Sequence, residues 1–84
     1  MPTVLRIGSY RFFFYAGDKD EPRHTHIERD DKIAKFWLEP IMLCSSSGYS
    51  RMEISRIQKM IEIQKMIEEN HARLVEAWND YFGG

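Results

Sequence analysis

The sequence predicts an α+β fold, in which a small antiparallel sheet of three to four strands is followed by one long or two shorter C-terminal helices. Aromatic and β-branched residues concentrate in the first half of the 84-residue chain, whereas the stretch from Ser50 to Phe82 has no glycine or proline. Ser50 with Glu53 three residues later is a capping-box pattern that predicts where helix begins. We expect one domain over residues 1–84, with the sheet at about 3–43 and the helical part at about 50–82.

Turn sequences separate the predicted strands. Gly8-Ser9 is typical of a tight hairpin turn, a polar connection ending at Pro22 precedes the third strand, and Asp30-Asp31 suits a short turn before the fourth. Links of this length join antiparallel strands. The serine-rich stretch Ser45–Gly48 is predicted to be a loop. The predicted strands are Val4–Ile7, Tyr10–Ala16, His24–Glu28 and Ile33–Leu38.

The helical half contains an exact tandem repeat, Ile57–Glu62 followed by Ile63–Glu68. Because a helix advances about 100° per residue, six residues rotate the second copy by about 240° relative to the first. The chain forms either one long helix whose ends bury different faces, or two helices with a bend near Glu69-Asn70, where Asn70 caps the second. Packing on a common core and self-association through the extended helix both remain open for the apolar residues Ile63, Met66 and Ile67.

Composition and charge exclude several classes of function. Twelve Lys and Arg stand against 13 Asp and Glu, so the net charge of −1 gives no overall positive field for nucleic acid or anionic membranes. Cys44 is the single cysteine, which excludes an intramolecular disulfide, and we expect it to be half-buried. His71 is expected to be solvated on the helix. We expect a cytoplasmic chain without a membrane span and without a cofactor, since no glycine-rich phosphate loop or dinucleotide fingerprint occurs.

Strand alternation predicts one sheet face that carries chemistry. On the third strand His24, His26 and Glu28 point to one side of the sheet, and on the fourth Lys35 and Trp37 fall on the same side. The opposite face collects apolar residues that we expect beneath the helix, namely Ile27, Ala34, Phe36 and Leu38.

Two chemistries fit the histidines. Imidazoles at i and i+2 on a strand can bind one metal ion, with a third ligand from Glu28, Asp18, Asp20 or Glu21. No committed third and fourth ligand follows from the sequence, so no metal is assigned and His24 with His26 is kept as an alternative metal pair. The same two residues are the candidate acid and base of a metal-independent ribonuclease, with phosphate held by Arg11, Arg23 or Arg29. A purely structural role, with both rings hydrogen-bonded to backbone or carboxylate, explains the same pattern.

Four stretches carry a resemblance to a known family. They are the aromatic hairpin Met1–Tyr15, the Pro-x-His-x-His motif within Glu21–Glu28, the strand Ala34–Pro40 and the helix end Glu76–Phe82. On these residues the chain resembles the bacterial family known as domain of unknown function 4160. Arg23 departs from the family's more usual Pro-Pro-His-x-His, and the duplicated hexapeptide makes the helix longer than the usual pattern.

The resemblance implies a small cytoplasmic α+β protein without an established activity. Such proteins are frequently encoded beside another small protein, in an arrangement that looks like a toxin–antitoxin pair. The motif points to His24 and His26, and the strand-face argument independently selects Lys35 and Trp37. We therefore expect a toxin–antitoxin-type interaction module whose face binds a partner protein or RNA, with contributions from Arg11, Arg23 and Glu28. The alternatives are a non-enzymatic nucleic-acid-binding regulator and a metal-binding structural module.

Overall fold

A computed structural model of the chain describes residues 3–48 and 53–83. The α+β class is confirmed, but the sheet formed by these described residues has five strands and not three to four. A 3-10 helix, Ala16–Asp20, lies between the second and third strands. Within the described ranges, no helix is long and apolar enough to cross a membrane. The elements are β1 (Thr3–Ile7), β2 (Tyr10–Phe13), β3 (His24–Arg29), β4 (Lys32–Leu38), β5 (Ile41–Ser47), α1 (Glu53–Glu69) and α2 (His71–Phe82).

The five strands pair in sequence order and every neighbouring pair is antiparallel. The prediction of a loop at Ser45–Gly48 is wrong for the serines, because Ser45 and Ser47 pair with Lys35 and Ile33 of β4. The sheet therefore runs to Ser47 and not to about residue 43. Serine favours turns when only local hydrogen bonds compete, but here the ladder with β4 supplies partners for the backbone of β5.

Strand β2 is shorter than predicted and ends at Phe13. The following turn is closed by Asp18, whose carboxylate accepts the backbone N–H of Tyr15 at 2.8 Å. In return, the backbone N–H of Asp18 donates to the carbonyl oxygen of Tyr15 at 3.1 Å. These two bonds satisfy backbone groups locally, so the chain leaves the sheet before Ala16 and forms the 3-10 helix.

The apolar sheet face lies where alternation predicts it, in the core. Ile27, Ala34 and Phe36 are completely buried, and Leu38 is 1% exposed. From the helices, Met60, Ile63, Ile67 and Leu74 pack into the same cluster. The predicted face assignment of β3 and β4 is therefore confirmed on its apolar side.

The helical half breaks at Asn70 into two helices, as one of the two options predicts. Asn70 does not cap α2 with its side chain; its Nδ2 donates to the carbonyl oxygen of Met66 at 2.9 Å and so satisfies the end of α1. Ile63 and Ile67 find their partner in the common core, where both are completely buried. The predicted N-cap Ser50 lies outside the described residues.

Candidate functional site

The predicted residues of β3 and β4 meet on one side of the sheet. His24 pairs with Trp37, and His26 pairs with Lys35. Along its other edge β3 pairs with β2, where Phe13 lies opposite His26 and Arg11 lies opposite Glu28. Directly paired residues of antiparallel strands share a face. The structure thus forms a histidine face, made of Arg11, Phe13, His24, His26, Glu28, Lys35 and Trp37.

The two histidines converge on a single carboxylate. Oδ2 of Asp18 lies 3.2 Å from Nε2 of His24 and 3.2 Å from Nε2 of His26. The 3-10 helix carries Asp18 over the histidine face and leaves it only 7% exposed. Asp18 was one of four acids that the sequence allowed beside the histidines, and it is the one that completes this His–Asp cluster of Asp18, His24 and His26.

The tautomer of His24 follows from the hydrogen bond of its ring. Nδ1 lies 2.8 Å from the carbonyl oxygen of Pro22, and because a carbonyl only accepts, Nδ1 carries a proton. In the neutral ring Nε2 is then a lone-pair acceptor. This atom is buried and has no hydrogen-bond partner in the described part of the chain, although Asp18 Oδ2 is within ion-pair distance. In that neutral form the acceptor nitrogen faces a carboxylate oxygen, which is also an acceptor, whereas in the protonated form the same nitrogen donates to it.

His26 lies at the more open side of the cluster, with its side chain 12% exposed. Its ring stacks on Phe13 with centroids 5.4 Å apart and meets the edge of Tyr15 at 4.7 Å. Burial lowers the pKa of His26 below its ordinary value, and the carboxylate of Asp18 opposes this shift. Neutral His26 can donate its Nε2 proton to Asp18 Oδ2.

The cations of the histidine face are paired with carboxylates. Arg11 binds Glu28 at 2.9 Å and lies over the ring of Phe13, 4.3 Å from its centroid. Lys35 binds Oε1 of Glu21 at 2.6 Å and lies 4.8 Å from the centroid of Trp37. The hydrogen bond from Lys35 lowers the pKa of Glu21. The face therefore presents neutralised ion pairs on aromatic rings and not an open cationic surface.

Arg23 is drawn toward α2. Its Nε donates to Oδ1 of Asn79 at 2.9 Å, and its Nη1 pairs with Glu39 at 3.3 Å. The residue that departs from the family's usual motif thus connects the strand region to the second helix. The predicted placement of Arg23 as a binding residue stays a prediction.

Helix α2 supplies a residue that the strand argument did not select. The Trp78 ring lies 5.2 Å from that of His24 and 5.3 Å from that of Phe14, measured between centroids. The signal was present in the helix-end stretch that carries the family resemblance. His71 is not simply solvated as predicted, because its Nε2 lies 2.6 Å from the carbonyl oxygen of Leu38.

Beyond Trp37, the histidine face continues onto the edge strand β5. Met42 pairs with Trp37 and is 52% exposed. Strand β5 is seven residues long and contains no charged residue and no proline. Cys44 on this strand is exposed, which contradicts the half-buried position expected for it. The serine-rich sequence predicts a loop here, and strand alternation therefore did not select this surface.

Comparison with known proteins identifies the family of the chain. A family model described as a domain of unknown function, number 4160, matches residues 9–79. The match runs from β2 into α2 and includes the whole His–Asp cluster. No curated protein and no solved structure matches the chain. The chain belongs to the domain of unknown function 4160 family.

Proposed function

We propose that the chain is an interaction module of toxin–antitoxin type, which binds a partner protein at the edge of β5 and the adjoining Trp37–Met42 surface. The observation that carries this proposal is the edge strand itself. Natural sheets protect their edges with charges, prolines, short strands, β-bulges or a covering element, and of these β5 has one register shift, at Cys44. Strand β5 has seven residues without charge or proline, and a protein partner can extend such an edge by adding its own strand.

The Trp37–Met42 surface gives this edge an apolar contact region. Met42 is half-exposed beside Trp37, and Lys35 lies against the same indole ring. Interfaces between proteins are enriched in aromatic residues and methionine at their centres. Main-chain pairing along β5 would supply affinity, and the side chains of this surface would supply selectivity.

A protein partner fits the face better than RNA or DNA does. A phosphate backbone is bound by cations that release counterions, but Arg11 and Lys35 each hold a carboxylate. Binding a phosphate there would require an ion pair to open. The net charge of −1 adds no attraction. A non-enzymatic nucleic-acid-binding regulator remains the second class, and strongly salt-dependent binding would support it.

The burial of His24 speaks against the ribonuclease alternative. Its ring is completely buried, so it cannot contact an external phosphodiester without rearrangement. Growth of a bacterial host during induced expression distinguishes the cases. We expect a His26→Gln variant at matched soluble level to affect growth as the wild type does. Histidine-dependent arrest accompanied by RNA cleavage would instead support the nuclease.

The toxin–antitoxin assignment and the cytoplasmic location rest on the family resemblance, which implies a small protein encoded nearby. Self-association through α1 is a separate proposal, supported by Ile57 and Ile61, which are 51% and 63% exposed. Light scattering of the purified chain gives the mass in solution. A concentration-independent monomer would remove self-association from the account.

The test is co-expression of the chain with the protein encoded beside its gene, followed by size-exclusion chromatography with light scattering. Met42→Lys places a charge on the proposed contact, and we expect at least about 10-fold weaker binding. The matched control is Tyr81→Lys on α2, another exposed apolar residue, 47% exposed, which we expect to bind normally. No complex with the wild type, or an unchanged complex with Met42→Lys, would contradict the proposal.

A further inference from the structure

We infer that the His–Asp cluster is a binding site for one divalent transition-metal ion of the zinc type. The ligands are Nε2 of His24, Nε2 of His26 and one carboxylate oxygen of Asp18. This inference concerns the interior of the histidine face and does not depend on the partner interaction proposed at β5. It rests on three features: ligand spacing, an unpaired buried nitrogen, and the hydrogen bonds that orient the ligands.

The spacing of the ligand atoms suits a small tetrahedral ion. Zinc bonds of about 2.0–2.2 Å place neighbouring tetrahedral ligand atoms about 3.3–3.6 Å apart. Both histidine nitrogens lie 3.2 Å from Asp18 Oδ2, and one ligand atom from each of the three residues lies within 4.8 Å of the others. The two distances to Asp18 are close to that spacing, and an ion can bind all three residues once the two imidazoles move toward each other.

The unpaired nitrogen of His24 points to a cation. Its Nδ1 proton is engaged by the Pro22 carbonyl, so Nε2 of the neutral ring is an acceptor buried beside the Asp18 carboxylate. Two acceptors in van der Waals contact in a buried site repel each other unless a positive charge lies between them. A metal ion or a proton can supply that charge. Only the first possibility predicts saturable binding of one metal ion per chain.

Hydrogen bonds outside the cluster hold its ligands in the arrangement usual for metal sites. A metal-bound histidine commonly donates its other ring N–H to a carbonyl, as His24 does to Pro22. The ligating carboxylate is commonly hydrogen-bonded as well, and Asp18 accepts the backbone N–H of Tyr15. When His26 binds the ion, its proton moves from Nε2 to Nδ1, so the ring stays neutral.

The donor set narrows the class of ion. Two imidazoles and one carboxylate suit Zn²⁺, Fe²⁺, Co²⁺ or Ni²⁺, whereas Ca²⁺ and Mg²⁺ require sites dominated by oxygen. Cys44 is exposed on β5 and is not one of the residues that converge here. The partial exposure of His26 leaves a side from which water can complete the coordination.

The test is titration of the untagged full chain with Zn²⁺, after dialysis against a chelator, by calorimetry at neutral pH. We expect saturation at one ion per chain and a higher unfolding temperature with the ion bound. Asp18→Asn replaces the anionic ligand with a neutral amide, and His26→Gln removes one imidazole. Each should weaken binding by more than about 100-fold, since loss of an outer hydrogen bond alone costs about 10–100-fold. His71→Gln, which changes a histidine outside the cluster, should bind as the wild type does.

Replacement by Co²⁺ gives a second readout, because its visible absorption reports a low-symmetry site with nitrogen ligands. Circular dichroism of each variant shows whether it is folded, and His26→Gln keeps the test valid if Asp18→Asn does not fold. A folded wild type without saturable binding at one ion per chain would overturn the inference. Equal affinity of the wild type and a folded His26→Gln variant would overturn it as well.

Discussion

The tandem repeat provides an internal comparison of burial at the same position of two identical hexapeptides. Ile57 and Ile63 occupy the same position of the two copies on one helix, yet Ile57 is 51% exposed and Ile63 is completely buried. Ile63→Ala removes three carbon groups at about 0.8 kcal/mol each, and the cavity left behind raises the total to about 3 kcal/mol. At Ile57 the side chain is only about half-buried, so Ile57→Ala loses about half of that burial free energy and leaves no closed cavity. The greater helix propensity of alanine offsets part of that loss, so we expect a cost below about 1 kcal/mol.

The assay is urea unfolding followed by circular dichroism and tryptophan fluorescence. We expect coincident transitions and a difference of about 2 kcal/mol between the two variants. Ile67→Ala against Ile61→Ala repeats the comparison, because Ile67 is buried and Ile61 is 63% exposed. Free energies of unfolding within about 0.5 kcal/mol of each other for Ile57→Ala and Ile63→Ala would refute the way α1 is packed here.

Two further perturbations test the ion pair at Glu21 and the glycine that follows β5. The hydrogen bond from Lys35 lowers the pKa of Glu21, so the stabilisation that this bond gives is present above the unfolded-state pKa and is lost as the pH falls through the folded-state pKa. Lys35→Gln should raise the pKa of Glu21 in an NMR titration. An unchanged pKa would exclude the bond. Gly48→Ala should destabilise the fold more than Gly8→Ala in urea unfolding. Both glycines have positive φ, 82° at Gly48 and 57° at Gly8. A Cβ at Gly48 would lie 3.1 Å from the Asp31 carbonyl oxygen, whereas the space at Gly8 is open. Equal losses of unfolding free energy for the two variants would contradict this geometry.

Strand alternation predicted the histidine face because the two-residue period of a strand depends only on local sequence. His26 and Lys35 were therefore placed together without knowledge of the register, and the structure pairs them directly. The apolar residues beneath α1 followed from the same period. The strand β5 did not follow from that period, since its serines favour turns locally and form a strand only by pairing with β4.

The identity of the third member of the His–Asp cluster could not be read from the sequence. Asp18, Asp20, Glu21 and Glu28 were equivalent as acids near the histidines. The structure separates them by their partners: Glu28 binds Arg11, Glu21 binds Lys35, and the 3-10 helix turns Asp18 onto both rings. Asp18 reaches the histidines because β2 ends at Phe13, and the hydrogen bond between Tyr15 and Asp18 closes the turn that follows.

The break at Asn70 shows what a rotation argument can and cannot establish. A hexapeptide repeat predicts a change of buried face along the helix, and the structure has two helices. Asn70 does occupy the N-cap position of α2, but its side chain makes no cap hydrogen bond, because its amide donates to the Met66 carbonyl at the end of α1.

Hydrogen–deuterium exchange of the chain, alone and in complex with the protein encoded beside its gene, tests the proposed interface most directly. Strand addition to the sheet edge predicts slower exchange in Ile41–Ser47 on binding, with little change in α1. The Met42→Lys variant should lose that protection, and the Tyr81→Lys variant should keep it. Protection confined to α1, or none in β5 within a complex that demonstrably forms, would contradict the account.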